Sequence, residues 1–185
     1  MEVKELIISA LNILGRGDLA VQLSGGGELD GEGLETVNTL VYCFNAVEDE
    51  VARKYLPLTA KEELSSSNGK FNYTDFSHSP VKIKSVLAGG DAAEFELLPQ
   101  YIAVNAKKIT VEYDYAPSKK QLNGQSDFGA EVGGRLFALG MAAEYCLVNG
   151  EIEAAELWEK KYRDSIDAVQ SALPAGGVIP PRRWV

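Results

Sequence analysis

His78 is the single histidine of the chain, and it stands in the run Phe76-Ser77-His78-Ser79-Pro80 with Asp75 just before it. Serine, histidine and aspartate are the residue types of a nucleophile, its base and the group that orients the base. Triad members come together through the fold from separate stretches of chain, so three neighbours in one turn do not supply that geometry. His78 therefore reads as a turn residue. Acidic pairs offer another chemistry. Glu94 and Glu96, like Glu112 and Asp114, lie two residues apart in alternating stretches, so each pair shares one face of a strand. Two carboxylates flanking a sugar make a glycosidase, but the alternation of a half-exposed strand gives the same pattern with no chemistry. An acid-base hydrolase using Glu94, Glu112 or His78 is the enzymatic alternative; the residue inventory favours no catalytic residue at all.

Metal sites fare no better. Zinc wants clustered Cys and His, and one His with the distant Cys43 and Cys146 does not furnish a structural site. Neither Asp18, Asp30 and Glu32 nor Glu62 and Glu63 follow the spacing of an EF-hand loop. Gly25, Gly26 and Gly27 lack the Gly-Lys-Ser/Thr ending of a phosphate loop. Arg16-Gly17-Asp18 and the sequon Asn72-Tyr73-Thr74 are short enough to arise by chance. No cofactor is expected. The two cysteines read as buried, reduced thiols inside helices.

The formal net charge is -9, with a pI near 4.7. Such a surface repels phosphate, which disfavours a nucleic-acid reader or a binder of anionic membranes. Lys107 and Lys108, Lys119 and Lys120, and Arg182 and Arg183 are only short basic pairs. No apolar run reaches the length of a membrane span, and Glu2 and Glu5 stand where a signal peptide would be basic and apolar, so export through a cleaved signal is not expected.

Around these residues the periodicity predicts four helices and a β insertion. Val3, Leu6, Ile7, Ala10, Leu11 and Leu14 recur at helical spacing until Gly15. Gly15 to Gly33 is so rich in glycine that it is expected to be a loop. A second helix fits Leu34 to Leu56, with Val37, Leu40, Val41, Phe44, Val47, Val51 and Tyr55 inward and Pro57 ending it. Glu48, Asp49 and Glu50 are expected on its other side, spaced to pair with Arg53 and Lys54.

From Leu58 to Pro117 the pattern becomes one of short alternating segments between turn signals, an antiparallel meander of about five or six strands. Val81, Ile83 and Val86 should face in while Lys82 and Lys84 face water; Ile109, Val111, Tyr113 and Tyr115 should share one face. Ala116 to Phe128 reads as a polar surface connection. A third helix runs from about Ala130 to Val148, with Gly133, Gly134 and Gly140 permitting close approach. Asn149-Gly150 turns the chain into a fourth, Glu151 to Leu173, with the stripe Ile152, Ala155, Leu157, Trp158, Tyr162, Ile166 and Val169. Leu136, Met141, Tyr145, Trp158 and Tyr162 should pack this hairpin together. Beyond Pro174 lies an extended tail.

The fold class is therefore α+β: residues 1–57 and 118–172 form a helical bundle, 58–117 an inserted antiparallel β meander, and 173–185 an extended C-terminal tail.

That arrangement resembles the head-tail adaptor, or connector, proteins of tailed bacteriophages. Arg135 to Val169 is similar to their C-terminal helix pair, with Ala142-Ala143-Glu144-Tyr145, the Asn149-Gly150 corner, and Trp158, Lys160, Lys161, Tyr162 and Arg163. Phe76-Ser77 with Pro80, Pro99 with Tyr101, and Tyr113, Tyr115 and Pro117 resemble the β module of the podophage-type tubular adaptor. The likeness covers most of the chain as an arrangement and these stretches as residues; the glycine-rich segment after the first helix departs from it.

The resemblance implies a virion structural protein, not an enzyme, assembled in the host cytoplasm and located in the virion neck. It implies a homo-oligomeric ring, a dodecamer, bound under the portal protein, extending the DNA channel and presenting a platform to stopper or tail proteins. Genomic DNA would transit without sequence-specific binding, and no membrane is involved. Val178, Ile179, Pro180, Pro181, Arg182, Arg183, Trp184 and Val185 would be the portal-docking segment; Trp and Arg are the residue types most enriched at interface hot spots. The alternatives are another neck protein, a stopper or tail terminator, or a ligand-binding module built on the β insertion.

Overall fold

Which chain segments reach one another is decided by two separate apolar cores. The computed structural model describes residues 1–172; the segment Val178–Val185 lies outside the described residues. Among the latter, α1 (Val3–Ile13), α2 (Gly17–Gly25) and α3 (Gly31–Glu50) come first. Seven strands follow: β1 (Leu58–Ser65), β2 (Lys70–Asn72), β3 (Pro80–Ala88), β4 (Asp91–Ala92), β5 (Phe95–Leu97), β6 (Tyr101–Val104) and β7 (Lys108–Tyr115). The chain then returns to helix with α4 (Gly134–Val148) and α5 (Ile152–Ala172). The fold is α+β, and no described helix is long and apolar enough to cross a membrane.

The larger core takes residues from both ends of the sequence. Val3, Ile7 and Leu11 of α1, Leu40 and Phe44 of α3, and Leu136, Phe137 and Met141 of α4 are all buried in it. From α5 it takes Tyr162 and Ile166, while Tyr145 and Trp158 pack against it half-buried. Ile152 and Leu157, expected in the α5 stripe, are instead about half exposed. Ile152 is the first residue of α5, at the turn from α4, and Leu157 lies on the helix's outer side.

The glycine-rich segment is not a loop. Leu19, Ala20 and Leu23 share one face and are buried, which is enough to hold α2 against α1. The glycines cluster because two helix ends meet there. Gly26 terminates α2 in the left-handed conformation at φ 69°, where a Cβ would be strained. Gly33, in the first turn of α3, lies so close to Leu19 that an added Cβ would come within 2.9 Å of its Cδ2. Asp30 caps α3 by accepting from the Gly33 amide at 2.7 Å, the standard use of aspartate there.

At its other end α3 widens into a π-helical turn, Val51–Tyr55, closed by the Leu56 amide donating to Val51 O at 2.8 Å. Asp49–Arg53 and Glu50–Lys54 form the expected pairs four residues apart.

The β insertion is two sheets and not one meander. The first has the order β1-β7-β3-β4 and the second β2-β6-β5. β1 and β7 align over their full length, Leu58 opposite Tyr115 through Ser65 opposite Lys108. This places Leu64, Val111 and Tyr113 in the smaller core with Phe71 and Ile102 from the second sheet. Sequential pairing would separate those residues, so burial overrides proximity in the chain. β3 carries register shifts between Pro80 and Lys82 and between Ile83 and Ser85. A bulge of this kind turns the following side chains over. Val81 is consequently 47% exposed, and Lys84 reaches across to Asp114 at 2.7 Å instead of facing open water.

Of the glycines expected to allow close approach, Gly134 and Gly140 do so and Gly133 serves as a turn at φ 79°. A Cβ on Gly140 would lie 2.7 Å from Val47 Cγ1 and 3.0 Å from Tyr162. Gly140→Ala is expected to destabilise the fold by about 1–3 kcal/mol through overpacking, despite the better helix propensity of alanine. Urea unfolding of the two proteins checks this; equal or greater stability of the variant would contradict the contact.

Candidate functional site

One face of α3 and its π turn, carrying Tyr42, Asn45, Asp49 and Arg53, looks across a cleft of about 640 Å³ at the β module. The spacing of those residues keeps them on a single side of the helix. The opposite wall is the turn Ser77–Ser79 and the chain leaving β7 from Ala116 to Lys119. The cleft thus lies where helical and β units meet, a common place for binding sites and of a volume suited to a small ligand.

Its base is a polar clamp. The Asn45 side-chain amide donates to Lys120 O at 3.0 Å, while its oxygen accepts from the Lys120 amide at 2.6 Å. One turn on, Glu48 Oε1 accepts from the Ser126 hydroxyl at 2.7 Å and from the Asp127 amide at 2.9 Å. Lys120 closes the segment on itself through Asp127 at 2.8 Å. The N-terminus joins in: the Val3 amide donates to Gly124 O at 3.1 Å and the Ser126 amide to Met1 O at 2.9 Å. Residues 116–128 have little regular structure, so these side chains do for them what a ladder does for a strand.

Glu48 is only 1% exposed, and its Oε2 has no hydrogen-bond partner among the described residues. The expectation that Glu48 faces outward with Asp49 and Glu50 is wrong. At about 100° per residue, position 48 falls between Phe44 and Val41, inside the apolar stripe; only Asp49 and Glu50 lie outside it. Burial pushes its carboxyl above the ordinary range, against the lowering effect of the Ser126 hydroxyl and the Asp127 amide. A desolvated carboxylate whose nearby cation, Lys120, is already paired with Asp127 is costly, and protonation relieves it.

On the β wall, Glu62 accepts from the Ser77 hydroxyl at 2.7 Å, from the Ser77 amide, and from the Tyr113 hydroxyl. Burial works to raise this carboxyl, but the Tyr113 and Ser77 donors outweigh it and hold it below the usual range. Burial and the same carboxylate push the Tyr113 phenol up to about 12. The His78 ring stacks on Tyr115 at 4.2 Å.

His78 and Ser77 are therefore in the cleft, but Ser77 is fastened to Glu62, and no hydrogen bond joins His78 to either. Asp75 turns away to close a capping box with Asn72. The other acids are dispersed. Asp114 is buried, accepting from Thr59 and pairing with Lys84. Glu63 pairs with Lys108 at 2.6 Å. Glu94, just before β5, and Glu96, within it, are exposed and belong to the second sheet's edge, whereas Glu112 is in β7 of the first sheet. Among the described residues no three His, Cys, Asp or Glu side chains come together. Cys43 and Cys146 are buried and unpaired, and burial pushes the Cys43 thiol up to about 12. The arrangement fastens the segment after β7 to α3 and the Ser77 turn to β1 and β7; among the described residues of the cleft no nucleophile is held against a base.

Two outcomes test the clamp. Asn45→Ala removes both bonds to Lys120 and should cost about 1–3 kcal/mol, with faster amide exchange at Lys120; unchanged exchange would dismiss the clamp. For Glu48, the folded chain holds its proton more tightly than the unfolded chain, whose carboxyl has the ordinary value of 4.5. Its contribution is full below that value and is lost as pH rises through the raised folded value. Glu48→Gln removes the titration, so its stability should gain on wild type as pH climbs from about 4.5 and then run level. A difference independent of pH between 4 and 8 would refute the assignment.

No protein-family model matches the chain, and no curated protein matches it.

Proposed function

We propose that the chain is a head-tail adaptor of a tailed bacteriophage, a structural protein that forms a ring under the portal, extends the DNA channel and offers the tail a docking platform. The observation that carries this reading is the arrangement of the chain. Both ends of the described sequence build one helical unit closed by the α4–α5 hairpin. A β module with its own core is inserted between them. A rigid unit bearing a second, separately cored unit suits a part that must present different faces to different neighbours. The cleft between the units holds side chains tied to one another, which suits fixed geometry better than turnover. A net charge of -9 would also keep passing phosphate from adhering to a channel wall. Another neck protein, a stopper or tail terminator, shares these properties and differs only in its partners. The cleft of about 640 Å³ favours a second reading, a module that binds a small ligand at the unit junction.

Multi-angle light scattering and negative-stain microscopy, run on the full chain alone and with its portal, test the first reading. A ring, free or on the portal, is the expected outcome. A chain that stays monomeric in both settings would sink it. Truncation after Pro174 should leave the fold intact and abolish portal docking; undiminished docking would remove the tail from that role.

A further inference from the structure

A second groove, on the far side of Tyr42, has no part in the clamp. Leu34, Asn38 and Tyr42 run along α3 at intervals of one turn, and Val148 from the end of α4 stands across from them. Leu34, Tyr42 and Val148 are 52%, 69% and 57% exposed. Leu147 and Ile152, on either side of the same α4–α5 turn, are exposed as well. Apolar side chains left together in water mark a docking face more often than chance exposure does.

The chain stretches that border this groove carry charge of one sign. Neither residues 17–52 nor residues 136–159, the two stretches that border it, contain Lys or Arg. Glu35 lines the groove itself, and Glu151 and Glu153 open α5 beside Ile152. Arg16, just outside the first stretch, is paired with Glu32 at 3.4 Å. An occupant of this face has to bring apolar side chains together with positive charge.

The sequence contains such a segment. After Asp167 it has no acid, and Val178-Ile179-Pro180-Pro181-Arg182-Arg183-Trp184-Val185 joins large apolar side chains to two arginines. Length decides whose groove it reaches. The segment follows α5, whose 21 residues carry the chain roughly 31 Å from the α4–α5 turn. Residues 173–185 extend at most about 47 Å, so a return along the same helix leaves reach for only about four residues in the groove. A second copy imposes no such return.

We propose that Val178–Val185 of one copy docks in the Leu34–Tyr42–Val148 groove of a second copy. Arg182 and Arg183 meet the rim carboxylates, and Val178, Ile179 and Trp184 cover the apolar floor. The contact is head-to-tail, the kind that closes into a ring or runs on as a filament. It deepens the ring reading and rests on it for closure alone. The resemblance sends the same segment to a portal; the groove gives it a place within the assembly, and a portal-free experiment separates the two.

Full-length N38C and full-length R183C chains, mixed without portal at a concentration where wild type associates, are treated with a short bis-maleimide, wild type being the control for its buried cysteines. A link between the two different chains is expected; links formed only within an N38C/R183C double variant, at any dilution, would overturn the proposal. In sedimentation, L34D/V148D and R182E/R183E should each weaken association at least tenfold. Adding E35R/E151R to R182E/R183E should restore it. These are surface positions or lie outside the described fold, and circular dichroism checks that folding is unchanged. Assembly that ignores both sets overturns the contact and leaves the ring reading standing. Cross-linked chains that form only open pairs or filaments, with or without portal, overturn the ring and keep the contact.

Discussion

Two side chains one turn apart on α3, Asn45 and Glu48, hold the irregular segment between β7 and α4, and the rest of the architecture depends on that hold. The segment is the only route by which the chain returns from the β insertion to the helical unit. Asn45 fixes Lys120 through both its oxygen and its nitrogen, and Glu48 fixes Ser126 and Asp127. Between them the path is set to within a hydrogen-bond length at two points. The chain leaving β7 forms one wall of the cleft from Ala116 to Lys119 and meets α3 at the Asn45–Lys120 bonds. The arrangement is costly, since Glu48 keeps one oxygen buried with no donor. A clamp built of buried polar groups specifies position more than it adds stability.

The helical unit itself closes late in the sequence. α1 and α3 lack a complete core until α4 arrives after the β insertion, and α4 is apolar nearly all round because it is surrounded. Phe137 packs against both Phe44 and Phe128, with ring centroids 5.9 and 5.5 Å away. Gly140 lets α4 lie against Val47 of α3 and Tyr162 of α5 at once. Such long-range closure slows folding relative to a bundle of sequential helices. The β insertion is not subject to the same delay, because its core draws only on residues between Ala60 and Tyr115.

How much of this was legible in the sequence varies with the kind of information each element carries. Periodicity located α1, α3, α4 and α5 because their apolar stripes are long. It placed Asp49 and Glu50 against Arg53 and Lys54, since spacing of four within one helix is local. α2 was missed because glycine density outweighed three apolar residues, Leu19, Ala20 and Leu23, whose spacing was the available signal. Strand existence was legible and strand partners were not, because pairing β1 with β7 across the whole insertion is decided by which faces must be buried together. Val81 was misplaced because a bulge breaks the alternation on which the reading depended. The clamp was half visible. Position 48 falls inside the stripe on a helical wheel, but charge argued against burial, and its partners lie in a segment with no periodicity at all.

The distribution of charge constrains any association between copies. Within the described residues Arg53, Lys84, Lys108, Lys120 and Arg163 each contact a carboxylate at 2.6 to 2.8 Å. Cations that are already paired project little field outward, so the excess of acid dominates what an approaching copy meets. Two chains of formal charge -9 repel at a distance, most strongly at low salt, where the screening length grows. Affinity between copies must therefore come from short-range burial of apolar surface, with charge deciding where that burial takes place. The face around Leu34, Tyr42 and Val148 has exposed apolar side chains, and the stretches 17–52 and 136–159 that border it contain no Lys or Arg. Such surroundings disfavour a like-charged neighbour and favour a segment carrying its own positive charge.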